Sequence, residues 1–166
     1  MLPTHALSLR HPWLWYVLET THPSPKLLEN RTRRILNWKE WNPKGEVWLH
    51  ASKDDDAAYW AAAIEKVREV FGHQYPTPRW ADCARGGIIG RARIAGMITP
   101  AGEVQWEPDA NGGGRPPLDM RWHFRGQHAY ILQSIRKVPF TPARGMLGFW
   151  SVPPTVLDHL QAQGER

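Results

Sequence analysis

At 166 residues and a formal charge of +5, the chain fits a single domain over 1–166, with room for a core that needs no cross-links. Its one cysteine, Cys83, excludes an internal disulfide and a cysteine-built metal site and suits a reducing compartment. No apolar run reaches membrane-spanning length and no secretory signal opens the chain, so a cytoplasmic protein with no membrane partner is expected.

Ala6–Arg10 reads as a short strand feeding a turn. Pro12 suits a first helical position, and Trp13, Leu14, Val17 and Leu18 follow at helical spacing as a core-facing stripe. Prolines mark Thr20–Pro25 as a loop. Leu27–Thr32 is a predicted strand, and the Asn42-Pro43-Lys44-Gly45 turn leads into another over Glu46–Ala51. Ser52 is a good helix cap with Asp55 three residues on, and three aspartates complement the helix dipole. Trp60, Ile64, Val67 and Phe71 then repeat at helical spacing until Gly72. Gly86–Ile98 reads as a long strand, with Ile89, Arg91 and Arg93 on one face and Ile88, Gly90, Ala92 and Ile94 on the other. A mobile surface loop is expected over 108–119, around Gly112-Gly113-Gly114. Met120–Phe124 and Gln127–Val138 read as strands, Phe149–Val152 as a short last strand, and Pro153–Gln163 as a helix. Short strands, two clear helices and no regular βαβ alternation predict an α+β domain.

Lys26-Leu27-Leu28-Glu29-Asn30-Arg31 carries the most chemistry. Alternate residues of a strand share a face, so Glu29 and Arg31 project together, and Lys26 joins them if the chain bends at the strand's start. Two cations flanking a carboxylate can hold an anionic, hydrogen-bonding ligand; equally they can form a solvated strand end, because exposed ion pairs contribute little. Arg31, Arg33, Arg34, Trp38, Lys39 and Trp41 interleave basic and aromatic side chains, with Arg10, His11 and Trp13 upstream. Guanidinium groups grip phosphate bidentately and indoles stack on unpaired bases, but the same residues also suit a solvated basic loop whose tryptophans cover a barrel. The pI of about 9.7 and the ten tryptophans fit either reading.

Five segments in register carry a family resemblance: Ala6-Leu7-Ser8-Leu9-Arg10-His11-Pro12-Trp13, Lys26-x-x-Glu29-x-Arg31, Gly45-Glu46-Val47-Trp48-Leu49-His50-Ala51-Ser52, Gly86-Gly87-Ile88-Ile89-Gly90 and Gly145-Met146-Leu147-Gly148-Phe149-Trp150. Together they resemble the ASCH family (activating signal cointegrator homology) of the PUA-like superfamily, from about Ala6 to Pro153. The centre of that family's G-x-K-x-x-E-x-R motif falls on Lys26, Glu29 and Arg31, with Ser24 in place of the glycine. The resemblance implies a PUA-like small β-barrel with flanking helices and a cleft beside the motif strand. It further implies RNA, another single-stranded nucleic acid or a modified nucleoside as partner. Arg10 and Arg31 are then candidates for contacts to phosphate or a base edge, Arg144 for the cleft, Lys26 and Glu29 for polar base atoms, and Trp13 for stacking or the pocket wall.

Some ASCH proteins deacylate N4-acetylcytidine with the motif lysine, a threonine at the position of Glu29, and a further glutamate. Lys26 matches, Glu29 departs, and Glu46 is an unaligned candidate for the third residue. Others are ribonucleases or nucleic-acid binders. A binder is therefore expected, with an amidohydrolase or ribonuclease using Lys26 and Glu29 as the alternative, and a protein-interaction module as a third class. No cofactor is implied. The eight histidines include no pair at zinc-site spacing, and Ser8, Ser52 and Ser134 lack a nucleophile elbow. The glycines of 86–90 precede no helix and read as close strand packing rather than a phosphate loop.

Overall fold

The structure, a computed structural model, describes residues 1–32, 45–108 and 114–166. Among the described residues, seven strands form one curled mixed sheet, a half-barrel flanked by three helices. The strands are β1 (His5–Leu9), β2 (Leu28–Arg31), β3 (Glu46–Ala51), β4 (Gly87–Ile98), β5 (Val104–Trp106), β6 (His128–Pro142) and β7 (Phe149–Ser151). Their spatial order is β2-β6-β4-β3-β1-β7, with β5 beside β4. Among the described strands β1 and β3 pair in parallel and the other pairings are antiparallel. The α+β expectation holds at this level.

The curl has a cause in the glycines of β4. A Cβ on Gly87 would lie 2.6 Å from the Thr141 carbonyl oxygen, and one on Gly96 would lie 2.4 Å from that of Gln105. Backbones approach here closer than any side chain permits, which lets a long strand bend against β6 and β5.

Helix α1 (Trp13–Leu18) buries Leu14, Tyr16, Val17 and Leu18. Its Tyr16 joins Trp122, Leu28, Val67 and Ile131 in one core cluster, while Leu14, Val17 and Leu18 join Leu7, Leu49 and Leu132 in another. Helix α3 (Pro154–Ala162) closes a third cluster with Leu160 against Trp48, Ile88 and Trp150. Pairing with β1 and β4 places β3 inside the sheet, so Val47, Trp48 and Leu49 are all fully buried.

Several local expectations are corrected. Helix α2 (Ala57–Phe71) begins later than Ser52: Asp56 is its cap and accepts from the Tyr59 N–H, so Asp54 and Asp55 precede the helix. Trp60 lies outside the core stripe of Ile64 and Val67; it is half-buried, edge-on to Trp80 at 5.1 Å. Pro12 occupies the cap of α1, one position before the helix. Met120–Phe124 is not a strand, because the Asp119 carboxylate accepts from the Arg121 N–H and turns Met120–Trp122 into one 3-10 turn. That turn sends Trp122 into the core. The short β5 had no alternating pattern to announce it. The expected basic and aromatic loop of Arg33, Arg34, Trp38 and Trp41 lies outside the described residues, as do residues 109–113 of the expected surface loop.

No helix among the described residues is long and apolar enough to cross a membrane. The placement of the tryptophans separates two variants. Trp122→Ala empties a fully buried site and should cost about 3–5 kcal/mol of stability. Trp60→Ala should cost only about 1 kcal/mol, the scale of one aromatic pair. Urea denaturation of both proteins checks the order, and equal losses would contradict it.

Candidate functional site

Lys26 is 1 % exposed, although it sits just before β2 and beside an open cleft. Its ammonium donates to the Leu28 carbonyl and to Glu29 Oε2 at 3.3 Å, and lies 5.8 and 6.0 Å from the ring centres of Trp13 and Trp122. Burial pushes the Lys26 pKa below its ordinary value; the adjacent Glu29 carboxylate pulls it back up, and Arg31 adds to the lowering.

The loop before β2 fixes this geometry. His22 Nε2–H donates to the Tyr16 carbonyl at 2.7 Å, so its Nδ1 accepts from the Tyr75 hydroxyl, also at 2.7 Å. Burial lowers the His22 pKa, which suits that neutral ring. Ser24 is buried, donates its hydroxyl proton to Asp119 and accepts from Trp122 Nε1–H at 3.3 Å. Ser24 therefore ties the Lys26 loop to the 119–122 turn.

Asn30, the next residue of β2, does similar work. Its amide donates to the Trp122 carbonyl and its oxygen accepts from the Phe124 N–H, both at 2.8 Å. Phe124 is thereby held edge-on to Trp13, with ring centres 5.1 Å apart.

Arg31 does not pair with Glu29. Its Nη2 donates to the Ser8 carbonyl at 3.1 Å, its guanidinium lies 5.8 Å from the Tyr130 ring centre, and its buried Nε has no partner among the described residues. Arg10 forms an ion pair with Asp54 and stacks on Tyr59, 3.3 Å from the ring centre. Tyr59 in turn accepts from Trp13 Nε1–H at 2.9 Å.

These groups line one cleft of about 660 Å³. Lys26 and Glu29 line it, Trp13, Tyr59 and Phe124 give it aromatic surface, and Arg10, Arg31 and Lys66 add positive charge. From the sequence-derived set, the structure thus brings together Arg10, Trp13, Lys26, Glu29 and Arg31. Arg10 differs in one respect from the expectation, being already engaged by Asp54 rather than free to grip phosphate. Arg144 is not in this cleft; it lies in an adjoining groove, because Gly145 packs directly on the His50 ring and carries the segment to that side. Glu46 does not line the cleft either, since it forms an ion pair with Arg91 elsewhere on the sheet.

Sequence reasoning missed Tyr59, Asp54, Lys66, Asn30 and Phe124. One signal was present: Tyr59, Ala62, Ala63 and Lys66 recur at i, i+3, i+4 and i+7 and all line the cleft. Two alanines in that stripe leave open space where larger side chains would fill it.

Ser8 and His50 are register partners of β1 and β3, and the Ser8 hydroxyl donates to His50 Nδ1 at 3.0 Å. His50 Nε2–H donates to the Ala143 carbonyl at 2.9 Å, and Trp150 Nε1–H donates to Ser8 Oγ at 2.9 Å. This chain joins β1, β3, β7 and the 142–148 segment beside the cleft. Among the described residues no group of three or more His, Cys, Asp or Glu side chains is placed to hold a metal ion. No protein-family model matches the chain, and no curated protein matches it significantly.

The buried pair makes a stability prediction. Lys26→Met leaves the Glu29 carboxylate buried without its counter-charge and should cost about 3–5 kcal/mol. Adding Glu29→Gln removes that charge, so the double variant should be more stable than Lys26→Met alone. Urea unfolding of the two proteins measures the difference. A double variant that loses further stability would contradict the pairing.

Proposed function

We propose that this protein is a PUA-like, ASCH-type domain that binds RNA or a modified nucleotide, holding one base in the cleft between β2 and α2. The observation that carries this reading is the buried Lys26–Glu29 pair lining a cleft with aromatic walls. Such a pair is a poor way to stabilise a fold, because the desolvation of both ions offsets their attraction. Beside an open cleft it has another use: an ammonium donor and a carboxylate acceptor side by side match the mixed donor and acceptor edge of a nucleobase. Trp13, Tyr59 and Phe124 supply aromatic surface for the base's faces, and Arg31 and Lys66 supply charge for its phosphate. The volume falls within the roughly 300–1,000 Å³ range of ligand clefts. The three motif residues of the ASCH resemblance lining one cleft supports the family reading as well.

A second reading rests on a specific feature. Burial lowers the Lys26 pKa and Glu29 lies 3.3 Å away, so the amine and carboxylate can pass a proton during hydrolysis of an N4-acylated cytidine. Glu29, in place of the threonine of the deacylating relatives, offers no hydroxyl there, and binding is the better-supported function.

Fluorescence titration with short single-stranded RNA, alongside an acetate-release assay on N4-acetylcytidine, tests both readings. Wild type should bind RNA with an affinity that falls with salt, and should release no acetate. Glu29→Gln and the Lys26→Met/Glu29→Gln double variant should each weaken binding roughly ten- to hundredfold, the scale of a lost charged hydrogen bond. Acetate release that the double variant abolishes would replace the binder with the hydrolase. Absence of both binding and turnover would overturn the two together.

A further inference from the structure

The cleft does not end at Ser8. A second groove of about 920 Å³ shares Ser8, Ser52, Asp54 and Leu147 with it, so the two form one continuous trough. Lys53 and Arg144 line the outer part. Both are exposed, and neither forms an ion pair or hydrogen bond with any other described residue. Asp54, the one carboxylate among the described residues that line that groove, is already held by Arg10 and accepts the Asp56 N–H. Two cations with no counter-charge among the described residues therefore stand along an extension of the base-sized cleft.

The outer groove is also pre-shaped. A Cβ on Gly145 would fall 2.2 Å from the His50 ring, so the 142–148 segment is pressed onto that ring. The ring is itself fixed at both nitrogens, by the Ser8 hydroxyl and the Ala143 carbonyl. Met146 and Leu147, 62 % and 84 % exposed, stand as apolar side chains at the same edge. Cations so placed, with apolar surface beside them, match a sugar–phosphate backbone better than a small neutral ligand.

We infer that the outer groove holds the backbone flanking the base in the inner cleft, with Lys53 and Arg144 contacting phosphates. The ligand is then a strand of at least two nucleotides rather than a free nucleoside. This inference rests on the nucleic-acid reading of the inner cleft and adds the ligand's length and direction of exit.

The test compares the four ribonucleoside monophosphates with a mixed-sequence RNA pentanucleotide, by titration across a salt series. The pentanucleotide should bind at least about tenfold tighter than the best monophosphate. Its log–log salt slope should be steeper by about 1.4, for two further phosphates at ~0.7 each. Lys53→Ala and Arg144→Ala should each flatten the pentanucleotide slope by about 0.7 and weaken its binding, while leaving monophosphate binding and the melting temperature unchanged. If monophosphates bind as tightly as the pentanucleotide, or if both variants leave the pentanucleotide unaffected, the trough is overturned and the inner cleft stands. If wild type binds none of these ligands, the nucleic-acid reading fails and the trough fails with it.

Discussion

The Lys26–Glu29 ion pair constrains everything around it. An ammonium 1 % exposed must be compensated, and here a backbone carbonyl and one carboxylate do so, with two indole faces close by. Those partners are held in place from three parts of the chain. Trp13 comes from α1, Trp122 from the 3-10 turn after Asp119, and Glu29 from β2. The pair is thus the meeting point of three segments far apart in sequence, and the cleft opens where their side chains stop.

The supporting contacts are short and polar. His22, Ser24 and Tyr75 anchor the loop that delivers Lys26, and Asn30 anchors the turn that delivers Trp122 and Phe124. Arg31 spans from β2 to the Ser8 carbonyl of β1, so the two strands that border the cleft are linked directly although they are not neighbours in the sheet. On the far side of Ser8, the Trp150–Ser8–His50–Ala143 chain fixes the floor of the outer groove. A site built this way is rigid before any ligand arrives, which lowers the ordering cost of binding.

Much of the sheet was legible because its signals are local. Alternation and flanking glycine marked β3 and β4, and proline marked the start of α3. The elements that were misread answer to distant partners. Met120–Phe124 has the aromatic content of a strand, yet Asp119 turns it and the core takes Trp122. The acidic run at 54–56 looked like a first helical turn, but Asp54 is drawn to Arg10, 44 residues earlier, and Asp56 becomes the cap. The cleft shows the same division. Lys26, Glu29 and Arg31 were visible as a spaced motif at the start of one strand. Tyr59, Phe124 and Asp54 reach the cleft only through the packing of α2 and two turns, and no local pattern states which helix face is left open. Arg144 went to the neighbouring groove for a reason equally remote, the contact of Gly145 with the His50 ring.

The protonation of Lys26 tests the central claim most directly. The chain has six lysines, and carbon-13 labelling at Cε lets each be followed by NMR through a pH titration. One resonance, lost in the Lys26→Met/Glu29→Gln variant, should titrate below the ordinary lysine value, because burial outweighs the pull of Glu29. The same resonance should shift when single-stranded RNA is added. If all six lysines titrate at ordinary values and the Lys26 signal ignores the RNA, the pair is a solvated strand end and the cleft has no ligand to read.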